Sequence, residues 1–576
     1  MWFSELFCIF AAYNYLNNLD IYIDMKKNIL IITLMLLPLV ARAEKVEIDG
    51  LWYNLIPKGK AAEVVSYRTG SYSGDIVIPE SVTYDDVEYS VVAILGAFNG
   101  CTNLTSVTIP NSVSRIGANA FQNCSSLTSV TIPNSVTAID DNAFNRCTGL
   151  TSITIPNSVK TIGNYAFYAC SSLNSFTIPN GVTSIGEYTF SYCSSLTSIT
   201  IPDNVSSIER GAFSYCSGLT SVDIPNNVTI IGQQAFEGCS GLVSVTIPNS
   251  VINIGDKAFS NCSCLVTLTI PNSVISIGGA AFGYCSALTS VTIGDGITDI
   301  GSQAFYNCSS LTTITFGNGS TSFEDMAFFG CSSLNFVHIN NVSSWCNNTF
   351  KNTSSTPLYY AHHIFINGEE VHDLVIPNDV TIINDYSFYG YSYLNSLTIG
   401  NSVSSIGNSA FANCENLADV FCYSETAPTA PNAFGGSYIQ YATLHVPVDF
   451  VDSYTSTAPW NTIIHIVPIE GEIPKVNKCA TPTIEYLNGN VVCNCETADV
   501  KYIYEIAPVT VKKESESGRF AFAPTYEIKV YATREGYKDS DTASIIVSLS
   551  NVGDVNGDGQ VSIADVTSLV NAILEK

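Results

Sequence analysis

The sequence predicts a repeat solenoid of 23-residue coils, each made of a β-strand and a short helical turn, followed by a small β-sandwich and a terminal loop-helix. Two observations predict the solenoid. They are a constant spacing of the cysteines and the recurrence of the residues between them. A period of this size is typical of folds in which each coil buries its apolar side only against its neighbours. The cysteines stand 23 residues apart, at Cys101, Cys124, Cys147, Cys170, Cys193, Cys216, Cys239, Cys262, Cys285, Cys308 and Cys331.

Within one coil, two different apolar spacings indicate two sides. Val107 and Ile109 alternate with hydroxyl residues, which predicts a strand with one buried face. Phe121 and Cys124 are three residues apart, which predicts one turn of helix. Gly117 lies between the two sides, and we expect it to supply a backbone angle that other residues resist.

The composition supports a packed core and argues against one class of partner. Of the 576 residues, 46% are hydrophobic and only 13% are charged, with a formal net charge of -27. Nucleic-acid binding needs Lys and Arg to neutralise phosphates, so no nucleic-acid partner is expected.

The beginning of the chain is predicted to direct export. Residues 1–24 are interpreted as an upstream segment, and residues 25–43 have the basic, apolar and small-residue regions of a signal peptide. Cleavage after Ala43 would leave Glu44 as the first residue of the mature chain. The apolar run is shorter than the roughly 20 residues that span a bilayer, and no membrane span is expected in the mature chain.

The changes of pattern along the chain divide it into segments. The predicted segments are an N-terminal cap at 44–95, the solenoid at 96–470 with an irregular insertion at 341–375 and a C-terminal cap at 435–470, a linker at 471–477, the β-sandwich at 478–550 and the loop-helix at 551–576.

The cysteines allow two interpretations in an exported chain. They follow the apolar spacing, their number is odd, and Tyr391 replaces the cysteine in one coil, so we predict buried thiols that act as small apolar residues. Disulfides between some neighbouring coils are the alternative. Outside the repeats, a disulfide of Cys479 with Cys493 or Cys495 is a further alternative.

The wording Leu-Thr-Ser-Val-Thr-Ile-Pro-Asn-Ser-Val, followed by Ile-Gly, Ala-Phe and Cys-Ser-Ser-Leu, resembles the BspA-like, or type 5, leucine-rich repeat family. The resemblance covers roughly residues 90–470. It implies a non-enzymatic protein that is secreted or held on the surface of a bacterium. It also implies adhesion to host matrix proteins or to other cells. The partner that we expect is a host or bacterial surface protein or a glycan.

The insertion is the predicted ligand-binding region because the repeat is interrupted there. Asn367 and Gly368 between short apolar runs predict a hairpin. One interpretation of the histidines is a zinc site. The interpretation that we favour is that they pack against the coil and form the surface of the hairpin. The candidate ligand-binding residues are Trp345, Tyr359, Tyr360, His362, His363 and His372.

The tail shows two further patterns. Short alternating runs at 500–504 and 526–531 resemble an immunoglobulin-like or fibronectin-like β-sandwich, which serves as a spacer in exported proteins. The segment after it resembles one half of a type I dockerin. The resemblance implies calcium as the cofactor and a cohesin domain as a candidate partner, although dockerins normally have two such repeats.

The calcium prediction follows from the oxygen-bearing residues at alternate loop positions, with Gly559 at the sharp turn. A solvated acidic turn is the alternative. The predicted ligands are Asp554, Asn556, Asp558, Gln560, Ser562 and Asp565.

Three functions stay open from the sequence. The first is an exported, non-enzymatic binding protein, and the second is a non-catalytic subunit of an extracellular polysaccharide-degrading assembly docked through the tail. The third is a structural spacer without a ligand. A catalytic module of ordinary size has no room, because repeats and sandwich occupy almost the whole mature chain.

Overall fold

The computed structural model describes residues 44–469 and five segments of the C-terminal region, 483–487, 490–494, 501–509, 525–533 and 542–548. The repeats form a solenoid of about 16 turns with about 23-residue spacing, mostly strands with little helix, which confirms the predicted fold class. Two compact units divide the chain. The first runs to Leu311 and includes Ala327–Ser332, and the second consists of Thr312–Met326 and the chain from Ser333 onward.

The N-terminal part of the first unit is a small sheet that leads into the coils. Alternating burial of Leu51, Tyr53 and Leu55 gives its second strand one apolar face. Its last strand pairs in parallel with residues of the first regular coil, so the sheet continues directly into the solenoid. The strands are Glu44–Ile48, Leu51–Ile56, Ala61–Val65, Ser81–Tyr84 and Val87–Leu95, with a 3-10 helix at Pro57–Gly59.

The first strand ladder of this unit follows the predicted alternation. Val107 lies opposite Val130, and Phe176 lies opposite Ile199, so each parallel pair joins residues 23 positions apart. The apolar residue of each triplet faces the core and the flanking Ser and Thr face outward. The strands are Gly74–Val77, Leu104–Thr108, Ser129–Thr131, Ser175–Thr177, Ser198–Thr200, Ser221–Asp223, Ser244–Thr246, Thr267–Ile270 and Ser290–Ile293.

A second ladder of two-residue strands runs along another side of the same coils. The second residue of each strand is a buried isoleucine, and Ile116 lies opposite Ile139 in the same 23-residue register. The strands are Arg115–Ile116, Ala138–Ile139, Thr161–Ile162, Ser184–Ile185, Ser207–Ile208, Ile230–Ile231, Asn253–Ile254, Ser276–Ile277 and Asp299–Ile300.

The turn side differs in detail from the predicted helical turn. Residues 96–340 contain no α-helix in the described structure, and left-handed backbone at positions such as Asn119 (φ 58°) and Asn123 (φ 61°) interrupts each turn. The N–H of Phe121 donates to the carbonyl of Ala143 in the next coil at 2.7 Å. Bonds of this kind between coils alternate with bonds inside the turn, such as the Gln122 N–H to the Asn119 carbonyl at 3.2 Å, and together they take the place of a continuous helix.

Gly117 is needed for a reason other than the predicted one. Its φ is not positive, so the expectation of an unusual backbone angle is wrong. A Cβ there would lie 2.9 Å from the carbonyl oxygen of Ile94 and 2.3 Å from a methyl group of Leu95. The glycine allows the backbones of two coils to approach closely.

The core of the first unit is built from ladders of identical side chains. The phenylalanine rings stack coil on coil, with centroids 5.3 Å apart between Phe213 and Phe236. All eleven thiols of the 23-residue series are buried, as predicted. The stacked rings are Phe98, Phe121, Phe144, Phe167, Phe190, Phe213, Phe236, Phe259, Phe282, Phe305 and Phe328.

The second unit repeats the same design with one irregular coil and a closing segment. Tyr391, which replaces the cysteine of its coil, is fully buried, and Cys414 follows in the next coil. The strands are Thr313–Phe316, Ser322–Phe323, Phe336–Ile339, Thr349–Phe350, His363–Ile366, Glu369–Glu370, Asp373–Ile376, Ile382–Ile383, Ser396–Ile399, Ser405–Ile406, Asp419–Cys422, Thr443–Pro447 and His465–Ile469. The helices are Val342–Cys346 and Val451–Thr455, with 3-10 turns at Pro357–Tyr359, Ile439–Tyr441, Val448–Phe450 and Trp460–Thr462.

The closing segment seals the end of the repeats with two large aromatic side chains. Trp460 is fully buried, and its Nε1 donates to the carbonyl of Pro428 at 2.8 Å. The Tyr454 hydroxyl donates to the carbonyl of Ser424 at 2.7 Å. Both polar groups are therefore satisfied inside the core.

The C-terminal region contains two antiparallel sheets among its described segments. One pairs Thr483–Leu487 with Asn490–Asn494, and the other has the order Lys501–Val509, Thr525–Thr533 and Ala543–Ser548. The β-sandwich stays a prediction. Cys479, Cys495 and the calcium loop at 554–565 lie outside the described residues.

Candidate functional site

The irregular coil keeps the core of the solenoid while it changes the surface. His363–Ile366 pairs in parallel with Phe336–Ile339, and the partners are 27 positions apart in the sequence. The predicted hairpin is confirmed, because Ile366 pairs with Glu369 across Asn367 (φ 53°) and Gly368 (φ 86°). Positive φ at both central residues is the geometry of a two-residue hairpin turn.

Trp345 lies inside the coil and not on its surface. The side chain is 2% exposed, and Nε1 donates to the carbonyl of Ser387 at 2.7 Å. The indole ring packs near Phe316 and Phe350, at centroid distances of 5.3 and 5.6 Å. We conclude that Trp345 holds the coil in place and is not accessible to a ligand, which corrects its assignment as a ligand-binding residue.

Two of the predicted tyrosines lie at the surface. Tyr359 is 43% exposed and packs edge-on against Tyr360, with centroids 4.9 Å apart. On its other side, the Tyr359 ring stacks at 6.1 Å with Tyr389 of the following coil. Tyr360 and Tyr389 are half-buried, so Tyr359 is the exposed member of an aromatic group that the regular strand positions lack.

His363, Glu370, His372 and Tyr393 lie together next to the hairpin, and we name them the His–Tyr cluster. The His363 ring stacks on Tyr393 with centroids 4.1 Å apart, and its Nδ1 hydrogen-bonds the Glu370 carboxylate. His372 Nδ1 lies 3.2 Å from the Tyr393 carbonyl, and its Nε2 lies 3.9 Å from a Glu370 oxygen. Tyr393, at 42% exposed, was not among the predicted residues. Tyr393 belongs to the following coil, and the sequence does not show that its ring packs on His363, so it was not predicted.

The third histidine has a different partner. His362 Nδ1 lies 2.9 Å from the carbonyl of Gly390, outside the cluster. In the part of the chain that the structure describes, no group of three or more His, Cys, Asp or Glu side chains is arranged to hold a metal ion. The described contacts of these histidines are with a backbone carbonyl, a carboxylate and an aromatic ring.

The predicted calcium ligands have no described position. Asp554, Asn556, Asp558, Gln560, Ser562 and Asp565 all fall in the segment after residue 548. Their role remains a prediction from the sequence.

A second group of surface aromatics lies on the turn side of the first unit, where the sequence analysis named no site. Tyr165 stacks on Tyr188 with centroids 5.1 Å apart, and Tyr192 stacks on Tyr215 at 4.7 Å. All four have left-handed backbone, with φ of 56°, 52°, 61° and 58° in chain order. The signal in the sequence is that tyrosine replaces Asn or Gly two residues after the repeat glycine, or one residue before the repeat cysteine.

The buried thiols are unsuited to chemistry. Ten of them, from Cys124 to Cys331, donate to the carbonyl of a phenylalanine 26 residues earlier at 3.0–3.3 Å. Burial raises the pKa of Cys124 and of Cys193 to about 12. Because the thiolate is the nucleophile and the metal ligand, these groups are inert at neutral pH.

Among the described residues, no helix has the length and apolar character needed to cross a membrane.

Comparisons with known proteins agree with the architecture. The family described as BspA type leucine rich repeat region (6 copies) matches residues 95–220, 207–335, 254–365 and 358–480. No curated protein matches significantly.

Several solved structures resemble the chain. A leucine-rich repeat protein from Bacteroides ovatus is 30% identical, with a TM-score of 0.53, over 74% of this chain and 100% of that chain. A leucine rich cell surface protein from Faecalibacterium prausnitzii is 29% identical, with a TM-score of 0.38, over 66% of this chain and 94% of that chain. The T. pallidum leucine rich repeat protein is 30% identical, with a TM-score of 0.31, over 34% of this chain and 91% of that chain. From the family match and the Bacteroides ovatus structure, we conclude that the chain belongs to the BspA type leucine-rich repeat family.

Proposed function

We propose that this protein is an exported, non-catalytic binding protein that adheres to a host matrix protein, a glycan or another cell through its solenoid. Membership of a repeat family whose proteins are typically secreted or on the cell surface supports this proposal. Solenoids of this kind bind through extended surfaces and not through a single deep cleft.

The observation that supports the proposal most directly is the contrast between the outward strand positions of the regular coils and the surface of the irregular coil. The outward strand positions of regular coils present hydroxyl groups, as at Ser129, Thr131, Ser152 and Thr154. The irregular coil instead exposes rings and charges in the His–Tyr cluster, with the pair Tyr359 and Tyr389 as a second group.

These rings are suited to a protein partner. Tyrosine offers a large rigid contact surface at low conformational cost and is enriched at the energetic centres of interfaces. Strand pairing and the hairpin hold His363 in place, and stacking on Tyr393 fixes both rings. A pre-ordered surface loses less entropy on binding.

Binding of the full chain to immobilised host matrix proteins and mucins tests the proposal. We expect at least one of these partners to bind. The double variant His363→Ala with Tyr393→Ala should weaken that binding about tenfold or more, which corresponds to a loss of about 1.4 kcal/mol or more of binding free energy. Surface plasmon resonance gives the affinities.

Tyr441→Ala is the matched control, since Tyr441 is exposed but lies outside the irregular coil. Circular dichroism confirms that each variant is folded. Absence of binding to the whole panel, or equal losses in the cluster and control variants, would overturn the assignment of this surface.

A second candidate function follows from the dockerin-like tail, in which the protein is a non-catalytic subunit of a polysaccharide-degrading assembly. The oxygen ligands from Asp554 to Asp565 support calcium binding, and a cohesin domain is the partner that this function requires.

Isothermal titration of calcium into the full chain tests the metal site. We expect a saturable heat that disappears in Asp554→Ala and in Asp565→Ala, because each removes one charged ligand. Asp203→Ala, an exposed carboxylate of the solenoid, is the control and should leave the heat unchanged. If wild type gives no heat, or if the loop variants titrate like wild type, the calcium site does not exist.

A further inference from the structure

We propose that a cavity on the turn side of the first unit binds a short neutral oligosaccharide. The cavity has a volume of about 330 Å3 and lies across the turns of three consecutive coils, at 122–123, 142–146 and 165–168. Four side-chain amides, one guanidinium group and two phenol rings line it. This volume is at the lower end of the roughly 300–1,000 Å3 of small-molecule sites, so it suits a short saccharide.

Two tyrosines form the apolar walls. Tyr165 stacks one face on Tyr188, with centroids 5.1 Å apart. The equivalent position in the preceding coil holds Asn142, which is smaller than tyrosine, so the other face of Tyr165 borders the cavity. Tyr168 lies 5.7 Å away at an angle of 55° and forms the second wall. The electron-rich face of a phenol ring attracts the partly positive C–H groups on one side of a sugar ring.

The polar lining matches hydroxyl groups. Asn145 is 8% exposed, and its Nδ2 donates to the Asn142 Oδ1 at 2.7 Å, which fixes both amides. The Asn142 amide donors and the Asn145 carbonyl oxygen stay available. Among the described residues, the side chains of Gln122, Asn123 and Arg146 have no hydrogen-bond partner. A sugar hydroxyl both donates and accepts, so it pairs with either end of an amide.

Other classes of ligand fit the cavity less well. An apolar ligand would cover the half-buried amides of Gln122, Asn123 and Asn142 without pairing their free polar atoms, which is unfavourable. A polyanion would meet one positive charge in the lining, that of Arg146, and the four amides and two phenol rings would leave its other charges unpaired. A neutral oligosaccharide pairs the amides and needs no further positive charge.

The backbone at Tyr165 is left-handed, as it is at the same position of later coils such as Tyr188 (φ 52°) and Gln234 (φ 59°). Asn119, Asn142 and Tyr165 occupy the same position in consecutive coils, with φ of 58°, 59° and 56°. Asparagine tolerates this left-handed geometry, whereas a bulky residue costs roughly 1–2 kcal/mol there. The two preceding asparagines therefore show that Tyr165→Asn is compatible with this backbone.

The inference rests on the proposed binding role of the solenoid but concerns a different surface from the His–Tyr cluster. The test uses the full chain and calorimetric titration with short gluco-, manno-, galacto- and xylo-oligosaccharides, with an oligogalacturonate as the acidic probe. We expect a neutral oligosaccharide to bind. Tyr165→Asn and Gln122→Ala should each weaken this binding about tenfold, which corresponds to about 1.4 kcal/mol.

Tyr165→Asn should fold normally, because it introduces the residue that the two preceding coils already carry. Tyr215→Asn is the matched control, because Tyr215 also has left-handed backbone but does not line the cavity. This variant should bind the oligosaccharide as tightly as wild type does. Failure of every neutral oligosaccharide to bind, binding of the acidic probe alone, or wild-type affinity in folded Tyr165→Asn would overturn the proposal. Loss of matrix-protein binding with sugar binding intact would overturn only the function proposed for the irregular coil.

Discussion

A buried cysteine in this solenoid is a small side chain with one hydrogen-bond donor. Cys216 Sγ donates to the carbonyl of Phe190 at 3.1 Å. Where the series ends, Ser437 stands in the cysteine position, and its hydroxyl donates to the carbonyl of Phe411. In these coils the position holds a small hydrogen-bond donor. Tyr391 is the exception, since its ring fills the position and its buried hydroxyl has no hydrogen-bond partner among the described residues.

The first prediction concerns thiol reactivity in the native protein at pH 8. We expect iodoacetamide to label the exposed Cys264 rapidly and to label Cys216 and Cys239 only after denaturation. Burial excludes the reagent, and it also raises the pKa of Cys239 to about 12, so little thiolate is present. Peptide mass mapping over time measures the rates. Cys264→Ser should remove rapid labelling from this part of the chain, and equal rates at the three sites would contradict the prediction.

At the scale of the element, the phenylalanine ladder ties each turn to its neighbours. The Phe213 ring is fully buried, with its centroid 5.5 Å from that of Phe190 and 5.3 Å from that of Phe236. The coil has no helix of its own in this segment, so ring stacking and backbone bonds between coils hold the turn. An isolated coil has neither and should not fold.

The second prediction tests this ladder. Phe213→Ala should lower the free energy of unfolding by about 3–5 kcal/mol, because it removes a buried ring and leaves a cavity between two others. Phe213→Leu should cost less, since it keeps most of the apolar volume. Urea denaturation followed by circular dichroism measures both. Tyr215→Asn, two residues away on the surface, is the control, and a loss in Phe213→Ala no larger than in this control would refute the ladder's role.

At the scale of the whole molecule, the same rise in the pKa of a buried thiol recurs in many coils, so its effects on stability add up. Six thiols have a pKa that burial raises from 9.0 to about 12. They are Cys124, Cys193, Cys239, Cys285, Cys331 and Cys414. Between these two pKa values the unfolded chain has lost protons that the folded chain keeps.

The third prediction is that stability is full below pH 9 and falls steeply as pH rises from 9 toward 12. The unfolded state binds fewer protons in this window, so the free energy of unfolding decreases by about 1.4 kcal/mol per pH unit for each such thiol. Thermal unfolding under reducing conditions at pH 8, 9 and 10 measures the slope. The variant Cys193→Ala with Cys239→Ala should show a shallower slope than wild type. A pH-independent melting temperature would exclude this linkage.

The amino-acid sequence by itself determined the solenoid, its 23-residue register, the burial of the thiols and the hairpin at Asn367. These features depend on the spacing of residues along the chain and on turn chemistry, and both can be read directly from the sequence. The calcium loop remains a prediction at this level.

Only the tertiary structure decided which side chains of different coils meet. Trp345 is buried where its indole donates to the carbonyl of Ser387 in a later coil, and Tyr393 joins His363 across the coil boundary. The stacking of Tyr165 on Tyr188 and the amide-lined cavity beside it likewise depend on residues from neighbouring coils. The spacing within one coil does not show where the side chains of the next coil point, and the candidate sites lie at those contacts between coils.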